Sequence, residues 1–203
     1  MRLDTHVHTS PGSRCSALSI GEYLREAGVK GLKTICVTNH GDMEDYDYLA
    51  TTGSPGVLVI PGVEISSEQG DFLVYSADLE FLRGLQPLMP LPDRRSRPEE
   101  TAVVWAHPFA GIGGGRAPAE FIEQVARQVD GIEVYNGNWP DQEASRRARD
   151  VAVRYGLAEM GGSDMHRPGH LLRCYTLIDG GINGVGDLVS AILAGETEAR
   201  SGP

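Results

Sequence analysis

The sequence has few of the features that mark membrane or nucleic-acid-binding proteins. No stretch approaches the roughly 20 apolar residues that a membrane-spanning helix needs, so we expect no membrane partner. Basic residues are in the minority: 18 Lys plus Arg stand against 28 Asp plus Glu, which gives a formal net charge of −10. Grooves that follow nucleic-acid phosphates are built from clustered Lys and Arg. The charge therefore argues against a nucleic-acid partner.

Cysteine is also scarce. The three cysteines, Cys15, Cys36 and Cys174, are odd in number and have no paired spacing. This argues against a disulfide framework and against a four-cysteine zinc site. The segment Arg2-Leu3-Asp4 leads directly into an alternation of apolar and polar residues, which leaves no room for the apolar stretch of a signal peptide. We therefore expect a reducing, cytoplasmic setting.

The sequence does have the length and the pattern of one α/β domain over residues 1–203. Short apolar runs rich in Val, Ile and Tyr alternate with stretches that have helical periodicity. The pattern predicts strands at Arg2–His8, Lys33–His40, Val57–Glu64, Asp71–Ser76, Ala102–His107, Gly131–Asn136 and Leu157–Asp164. It predicts helices from a capping box at Ser19 to Gly28, and at Ala119–Gln128, Gln142–Tyr155 and Asp187–Leu193.

This alternation predicts a parallel sheet with helical crossovers, either open or closed into a barrel. One segment interrupts the pattern, around residues 85–100. It contains four prolines and a basic cluster, which is typical of an exposed loop within a domain. The cluster consists of Arg94, Arg95 and Arg97.

The placement of the histidines indicates a functional site. Five of the six follow apolar, strand-like runs, namely His6, His8, His40, His107 and His166. In a parallel α/β sheet or barrel the carboxyl ends of the strands converge on one face, where sites are built. We therefore expect these imidazoles to lie close together.

Two short motifs have the spacing of metal ligands. In Asp4-Thr5-His6-Val7-His8, side chains two residues apart share a strand face, so two imidazoles can chelate one divalent ion and Asp4 can orient a ring. Gly162-Ser163-Asp164-Met165-His166 repeats that spacing near the other end of the chain. The glycine pair before it predicts a strand exit whose backbone closely approaches a neighbour.

His40, Glu64 and His107 each end an apolar run, and each of them alone could equally be an ordinary core or rim residue. A buried glutamate, however, needs a charged partner, and a metal ion supplies one. Oxygen and nitrogen ligands without paired cysteines suit Zn, Mn or Fe. Glu64 could bridge two ions, and two such ions can activate water and hold a phosphoryl group.

With these motifs the chain resembles the polymerase and histidinol phosphatase (PHP) family. The matching stretches are Asp4–His8, Thr38–Gly41, Pro61–Ser66, Ala106–Pro108 and Gly162–His166, in the family's order. The resemblance implies a distorted (β/α)7 TIM-like barrel with two or three divalent ions and phosphoester hydrolysis. Residue by residue it implies ligand roles for His6, His8, His40, Glu64, His107, Asp164 and His166.

Three departures from the family's pattern stand out. Asn39 occupies the place of an aspartate, which we expect to change the surroundings of the ligands rather than a ligand. Asp71 stands where many relatives have a metal-binding histidine, and we expect the carboxylate to ligate in its place. The loop after His8 offers no histidine or aspartate, so one ion site is expected to be weak or empty unless Cys15 ligates as a thiolate; an ordinary loop thiol is the alternative.

Other residues are candidates for contact with a substrate. Gly111–Arg116 lacks the glycine spacing of a dinucleotide loop, and we expect a flexible loop from which Arg116 meets a substrate phosphate. His170 is a candidate proton donor to the leaving group, with a solvated loop histidine as the alternative. Asn136, nearer the strand end than Glu133, is the better candidate to reach the site.

Together these features predict a metal-dependent phosphoesterase acting on a small phosphorylated metabolite. A metal-bound hydroxide near Glu64 would attack phosphorus, and the catalytic set would be Glu64, Asp164, His170 and Arg116. Two alternatives remain open at this stage. One is C–N bond hydrolysis of the metallo-amidohydrolase type, and the other is a non-catalytic, metal-binding regulatory domain.

Overall fold

Strands and helices alternate along the part of the chain that the computed structural model describes, residues 1–54, 56–110 and 117–202. The strands are β1 Arg2–Leu3, β2 Thr34–Val37, β3 Leu58–Pro61, β4 Val63–Ser67, β5 Gly70–Ser76, β6 Thr101–Ala106, β7 Gly131–Asn136, β8 Ala158–Gly162, β9 Cys174–Ile178 and β10 Thr197–Ser201. The helices are α1 Ile20–Val29, α2 Glu44–Thr52, α3 Leu79–Arg83, α4 Ala119–Ala126, α5 Gln142–Tyr155 and α6 Val185–Ala194, with a 3₁₀ turn at Arg94–Ser96.

These strands form three sheets in the described residues, and the largest is mixed. Its order is β4-β5-β6-β7-β8; the other sheets are the parallel pair β2-β3 and the antiparallel β1-β9-β10. The strands β6, β7 and β8 are parallel, as predicted, but β5 runs antiparallel to both of its neighbours. The prediction of parallel strands is wrong at β5 because the two residues between Ser67 and Gly70 make a hairpin turn, which reverses the chain.

The seven predicted strand segments still follow one another around a ring. Where the ladders stop, single backbone hydrogen bonds join neighbouring segments: Cys36 N–H donates to the Asp4 carbonyl at 2.8 Å and Asp164 N–H to the His6 carbonyl at 2.9 Å. The first predicted strand, Arg2–His8, is a ladder only over β1 and continues as isolated bridges. No sheet in the described ranges closes on itself, so the closed (β/α)7 barrel stays a prediction.

The four predicted helices are present, and the ends of three of them, α1, α4 and α6, are shifted. The capping box of α1 is confirmed, since Ser19 Oγ accepts from Glu22 N–H and Glu22 Oε2 accepts from Ser19 N–H at 2.9 Å. The helix α5 has the predicted bounds and ends at Gly156, which adopts a left-handed conformation. The elements α2, α3, β9 and β10 were not predicted. None of the described helices is both long and apolar enough to cross a membrane.

Helices pack against the outer face of the ring of strands, and apolar side chains fill one end of its interior. Val103 and Trp105 of β6 face outwards and share a cluster with residues of α4 and α5. Ala102 and Val104 alternate with them and pack in a second cluster that includes Leu188 and Ile192 of α6. The interior at that end is therefore filled with apolar side chains, and polar groups are left to the carboxyl ends of the parallel strands.

Most of the segment around residues 85–100 is exposed, as predicted, but the side chain of Arg97 is buried. The Arg97 side chain is only 3% exposed, with Nη1 3.4 Å from Asp130 Oδ2 and Nη2 donating to the Gln128 carbonyl at 2.6 Å. Arg94 Nη2 lies 2.6 Å from Asp130 Oδ1. A buried carboxylate needs such partners. Because Asp130 directly precedes β7, this basic cluster lies at the opposite end of that strand from Asn136, its carboxyl end.

The predicted close approach at the glycine pair is confirmed. A Cβ atom on Gly162 would lie 2.4 Å from Cβ of His6, and one on Gly161 would lie 2.6 Å from the Tyr175 carbonyl oxygen. Both positions therefore require the absence of a side chain. The contact at Gly162 brings the exit of β8 directly against the residue that begins the His6-Val7-His8 motif.

We expect Gly162→Ala to lower the free energy of unfolding by about 1–3 kcal/mol, the usual cost of overpacking a close-packed position. Urea denaturation measures this. The matched control is Gly21→Ala, whose added Cβ meets nothing within 4 Å and lies in a helix that alanine favours. If Gly162→Ala were as stable as Gly21→Ala, the close approach of β8 to His6 would be contradicted.

Candidate metal centre

The structure brings seven of the predicted ligands together where the parallel strands end. Two of these residues follow β1, one follows β2 and one follows β6. One lies in β4, and the last two follow β8. In that order the residues are His6, His8, His40, His107, Glu64, Asp164 and His166, and their side chains make the contacts described below.

Glu64 lies at the centre of the cluster and is 2% exposed. Its Oε2 is 3.0 Å from His8 Nε2, 3.3 Å from His40 Nδ1 and 3.5 Å from His6 Nε2. Its other oxygen, Oε1, is 3.4 Å from His107 Nε2. The two carboxylate oxygens thus face different histidines, which is the arrangement a bridging carboxylate requires.

Asp164 faces the same imidazoles from the exit of β8. Its Oδ1 lies 3.5 Å from His6 Nε2 and 3.4 Å from His8 Nε2. The backbone of Asp164 has φ of +48°, and that of His107 has φ of +28°. Positive φ is costly for residues other than glycine and is concentrated at functional sites, where the surrounding structure fixes it.

Glu133, on β7, contacts the cluster directly, although Asn136 is nearer the strand end and was the better candidate from the sequence. Its Oε1 accepts from His6 Nδ1 at 3.0 Å, while Oε2 accepts from the His107 backbone N–H and from Asn136 Nδ2, both at 2.9 Å. Asn136 thus supports Glu133. Strict alternation would place the two on opposite faces, but a register shift between Glu133 and Tyr135 brings them together.

Hydrogen bonds at Nδ1 fix the orientation of three imidazoles. His6 Nδ1 bonds to Glu133, and His166 Nδ1 lies 2.8 Å from the Asp164 carbonyl oxygen. His8 Nδ1 lies 3.1 Å from Ser13 Oγ, whose own proton is donated to Asn39 Oδ1 at 2.9 Å. In each case Nδ1 carries the proton, which leaves the lone pair of Nε2 free, as in most histidines that bind metal.

Asp4 does not orient a ring, so that part of the sequence interpretation is wrong. Its carboxylate accepts from the backbone N–H of Ser163 at 2.9 Å and of His6 at 3.3 Å. Complete burial raises its pKa to about 6. The role of Asp4 is to tie the first motif to the exit of β8.

The centre of the cluster contains acceptors without donors. His6 Nε2 and His8 Nε2 are 3.0 Å apart, and with protons on both Nδ1 atoms neither neutral ring has an N–H to offer there. Ionised carboxylates also only accept. Such a buried set requires a cation between its members, either a proton or a metal ion. Nitrogen and oxygen donors of this kind suit Zn, Mn or Fe.

The electrostatics of the cluster agree with this requirement. Burial alone would lower the pKa of His6, but the carboxylates of Asp164, Glu133 and Glu64 outweigh it and hold that pKa well above its usual value. Burial would raise the pKa of Glu64, but His6 and the neighbouring imidazoles hold it well below its usual range. In the absence of a metal ion, a proton on His6 therefore supplies the positive charge.

Ligand atoms within 4.8 Å of one another form four groups in the described part of the chain. Three contain only predicted ligands, and the fourth includes Cys15, whose Sγ lies beside two imidazoles. The groups are His6–His8–Asp164, His6–Glu64–His107, His8–His40–Glu64 and His8–Cys15–His166.

Comparison with known proteins agrees with the resemblance seen in the sequence. A family model described as PHP-associated matches residues 142–197. The fold is similar to that of a two-domain protein from Bacteroides vulgatus ATCC 8482 containing a predicted PHP-like metal-dependent phosphoesterase; the TM-score is 0.70 at 18% identity, over 99% of this chain and 64% of that one. The chain is therefore similar to PHP proteins in sequence over residues 142–197 and in fold over most of its length.

Two further structures have a similar fold. PsfC from Pseudomonas syringae PB-5123 has a TM-score of 0.75 at 22% identity, over 99% of this chain and 91% of PsfC. Endonuclease Q, in complex with a 27-mer duplex that carries an abasic lesion at the active site, has a TM-score of 0.66 at 14% identity, over 95% of this chain and 56% of that one. At these identities the likeness describes the fold.

The departure from the PHP pattern at Asn39 changes the surroundings of the ligands. Asn39 Oδ1 accepts from Thr9 N–H at 2.8 Å and from Ser13 Oγ–H, while Nδ2 donates to Thr9 Oγ1 at 2.8 Å and lies 3.4 Å from Asp45 Oδ2. An aspartate at this position would put a second carboxylate against buried Asp45. The amide avoids that repulsion and still accepts from Ser13, the partner of His8.

Three other predicted residues lie outside the ligand groups. Asp71 is partly exposed; its Oδ1 accepts from Ser66 Oγ at 2.5 Å and its Oδ2 is 3.9 Å from His107 Nδ1, on the far side of the ring from Glu64. His170 is half-buried, in the turn after β8. Arg116, with the rest of Gly111–Arg116, lies outside the described residues.

Metal binding by this protein is expected to release protons. Because the carboxylates raise the pKa of His6, an incoming ion must displace a proton from that ring. The apparent affinity for Zn²⁺ or Mn²⁺ should therefore rise as pH increases, until pH exceeds the pKa of His6. Calorimetric titrations in two buffers of different ionisation enthalpy count the protons. No proton release at neutral pH would contradict the protonation of His6.

We expect Glu133→Gln to weaken metal binding by about 10- to 100-fold, the usual effect of removing the group that orients a ligating histidine. The matched control is Glu159→Gln, which removes a carboxylate on β8 whose partner is Arg149, at 3.2 Å. Equilibrium dialysis with Zn²⁺ measures both affinities. Equal affinities in the two variants would contradict an orienting role for Glu133.

Proposed function

We propose that this chain is a hydrolase of the PHP family that cleaves a phosphoester of a small phosphorylated metabolite, with divalent ions held by the strand-end cluster. The observation that carries the proposal is the buried set of acceptors centred on Glu64, where His6 Nε2 and His8 Nε2 are 3.0 Å apart. Without a cation, the acceptor atoms of this set only repel one another. The fold shared with a PHP-like metal-dependent phosphoesterase supports the same activity.

The residues of the cluster divide the work between binding and orientation. Glu64 spans the centre, with Oε2 facing His6, His8 and His40 and Oε1 facing His107. Asp164 closes the set from the exit of β8. Bound divalent ions would supply an activated water and positive charge beside the phosphoryl oxygens. Glu133 holds the ring of His6 and the backbone of His107 in place while the substrate reacts.

Differences in exposure indicate the side from which the phosphate enters. The side chains of His6 and His8 are 0% and 1% exposed, whereas those of His40, His107 and His166 are 36%, 15% and 19% exposed. The latter three surround the opening of the site. A phosphoryl group entering there meets the outer imidazoles first, and the buried pair lies behind it.

The distribution of basic residues supports a small substrate over a nucleic acid. The net charge is −10, and Arg94 and Arg97 are paired with Asp130 at the other end of β7. Grooves that follow a nucleic-acid backbone need unpaired cations along their length. Because Endonuclease Q has a similar fold and was solved with a DNA duplex, a duplex belongs in the experimental panel.

His170 and Arg116 complete the proposed catalytic set. His170 follows His166 by four residues, and its Nδ1 is buried without a hydrogen-bond partner in the described part of the chain. Burial, together with Arg173 and Arg167, lowers the pKa of His170, so its ring would protonate a leaving alkoxide only at a pH low enough to keep the imidazole charged. The proposed role of Arg116, contact with the substrate phosphate, rests on the sequence.

The activity itself is testable with the purified chain. Phosphate release from a simple phosphomonoester should appear with Mn²⁺ or Zn²⁺ and vanish after exhaustive chelation, because the acceptor set then holds only a proton. Asp164→Ala and His6→Ala should reduce turnover to the level of the chelated protein. The matched control is Asp150→Ala, which removes an exposed carboxylate on α5 and should keep full turnover.

The substrate panel separates the alternatives. A phosphomonoester, a phosphodiester, a duplex with an abasic site and an amide are offered under the same conditions. Turnover of the amide alone would replace the proposal with C–N hydrolysis, and turnover of the duplex alone would replace it with nuclease activity. Tight metal binding without turnover of any substrate would favour a regulatory metal-binding domain. Full activity of Asp164→Ala would contradict every role given to the cluster.

A further inference from the structure

The ligand group His8–Cys15–His166 differs in kind from the other three, because it alone contains sulfur. We propose that Cys15, His8 and His166 form a thiolate-containing ion position, separate from the nitrogen and oxygen position formed by His6, Glu64 and His107. The proposal rests on the proposed function, since it assigns the ions on which that function depends. It makes Cys15 a metal ligand of this chain in place of the loop histidine or aspartate that the sequence lacks.

The loop that carries Cys15 is tied to both of its partner residues. Ser16 Oγ donates to the His8 carbonyl at 2.9 Å, and the Ala17 N–H donates to the His166 carbonyl at 3.1 Å. On the other side of Cys15, Ser13 accepts from His8 Nδ1. Residues on both sides of Cys15 are thus hydrogen-bonded to the histidines beside its sulfur, so the position is held by the fold.

Both imidazoles have a nitrogen available for an ion. The Nδ1 atoms of His8 and His166 are occupied by Ser13 Oγ, at 3.1 Å, and by the Asp164 carbonyl, at 2.8 Å. Their Nε2 atoms are therefore acceptors, and neither can donate to the sulfur. Two acceptor nitrogens beside a thiol are an arrangement that a divalent ion stabilises, with the thiol proton released to solvent as the metal–sulfur bond forms.

The four groups differ in the residues that they share. Each Nε2 binds one ion, so groups that share a histidine compete for it. Among the groups found in the described residues, His6–Glu64–His107 and His8–His40–Glu64 share only Glu64, whose two oxygens face different histidines, whereas His8–Cys15–His166 and His6–Glu64–His107 share no residue. Two ions can therefore occupy these two groups with separate ligands, and Asp164 lies between them, 3.4 Å from His8 Nε2 and 3.5 Å from His6 Nε2.

The two positions differ in metal preference. Thiolate is a soft ligand that selects Zn²⁺ over Mn²⁺ and Mg²⁺, whereas carboxylate and imidazole accept Mn²⁺ and Fe²⁺ as well. The position that includes Cys15 should retain Zn²⁺ when the other has been exchanged for Mn²⁺. It lies at the exposed edge of the site, since Cys15 is exposed.

Titration of the metal-free protein with Co²⁺ tests the proposal directly. Bound Co²⁺ should produce a thiolate-to-metal charge-transfer band in the near ultraviolet, and Cys15→Ser should abolish the band. Cys15→His, which restores a ligand without sulfur, should bind Co²⁺ with d–d absorption only. Cys36 and Cys174 remain in both variants, and because both are buried they act as internal controls. A band that persists in Cys15→Ser would overturn the assignment.

Alkylation gives a second readout that does not depend on turnover. Cys15 is the exposed thiol among the three, so iodoacetamide should modify it in the metal-free protein, and Zn²⁺ should slow that reaction at least about tenfold. Peptide mass analysis locates the modified residue. Zn²⁺ binding with neither protection of Cys15 nor a cobalt–thiolate band would overturn the proposal but leave the phosphoesterase proposal standing. If Zn²⁺ protects Cys15 but no substrate is turned over, the phosphoesterase proposal is overturned and the assignment of Cys15 stands.

Discussion

Two histidine nitrogens that can only accept hydrogen bonds face each other at 3.0 Å inside this protein, between His6 and His8. Two buried carboxylates, Glu64 and Asp164, share the same space and can only accept as well. The other residues of the site serve to hold these four groups close together, although none of the four offers a hydrogen-bond donor to the others. The arrangement is stable only with a cation at its centre, and the fold supplies the constraints that keep the acceptors from separating.

Those constraints are visible in the backbone. Gly162 lacks the Cβ that would collide with His6, at 2.4 Å, and Asp164 and His107 adopt positive φ values that bring their side chains inwards. A register shift in β7 lets Glu133 and Asn136 point to the same side. Each of these features costs stability by itself. Their concentration around one cluster indicates that the geometry of the cluster outweighs local preference there.

The acidic composition has a structural origin as well as a surface one. Asp4, Glu64, Glu133 and Asp164 are all buried and lie within the site or directly against it. Their charge attracts cations, and an ion-loaded site can then attract a phosphate even though the protein carries a net charge of −10. The net charge is therefore a weaker argument against a phosphate ligand than against a groove that binds a long nucleic acid.

The positions of the candidate ligands could be predicted from the sequence because they depend on local spacing and on one topological rule. Residues two apart on a strand share a face, and the ends of parallel strands meet, which placed His6, His8, His40, His107 and His166 correctly. Glu64 and Asp164 followed from burial and from the repeat of the two-residue spacing. These inferences needed no knowledge of which strands are neighbours in space.

The predictions that were wrong depend instead on how the segments pair and pack in three dimensions. Glu133 was ranked below Asn136 because a register shift between strands leaves no mark in the sequence of one strand. The reversal of β5, which carries Asp71, depended on a two-residue turn whose hairpin geometry only the pairing reveals. Arg97 was expected to be exposed because the buried charge of its partner, Asp130, lies 33 residues away in the sequence. The positions of Glu133 and Arg97 depend on contacts between distant segments, and the reversal of β5 depends on a local pairing that the residue pattern does not indicate.

The breaks in the strand ring coincide with the strands that carry the ligands. Between the first segment and the exit of β8, regular ladder pairing is replaced by single hydrogen bonds, such as Asp164 N–H to the His6 carbonyl and His8 N–H to the Met165 carbonyl. His6 and His8 lie on one side of that seam, and Asp164 and His166 lie on the other. An ion bound by both sides would join them where the backbone pairing is weakest.

The seam between the segments of β2 and β4 has the same form, since His40 and Glu64 meet there at an isolated bridge. Because a ligand that binds only the folded state stabilises it, ions at these seams would contribute to the closure of the ring as well as to chemistry. Regular ladders would close the ring without ions, but they would constrain the backbone that turns these side chains inwards. The weak pairing and the inward orientation of the candidate ligands are therefore two consequences of the same local geometry.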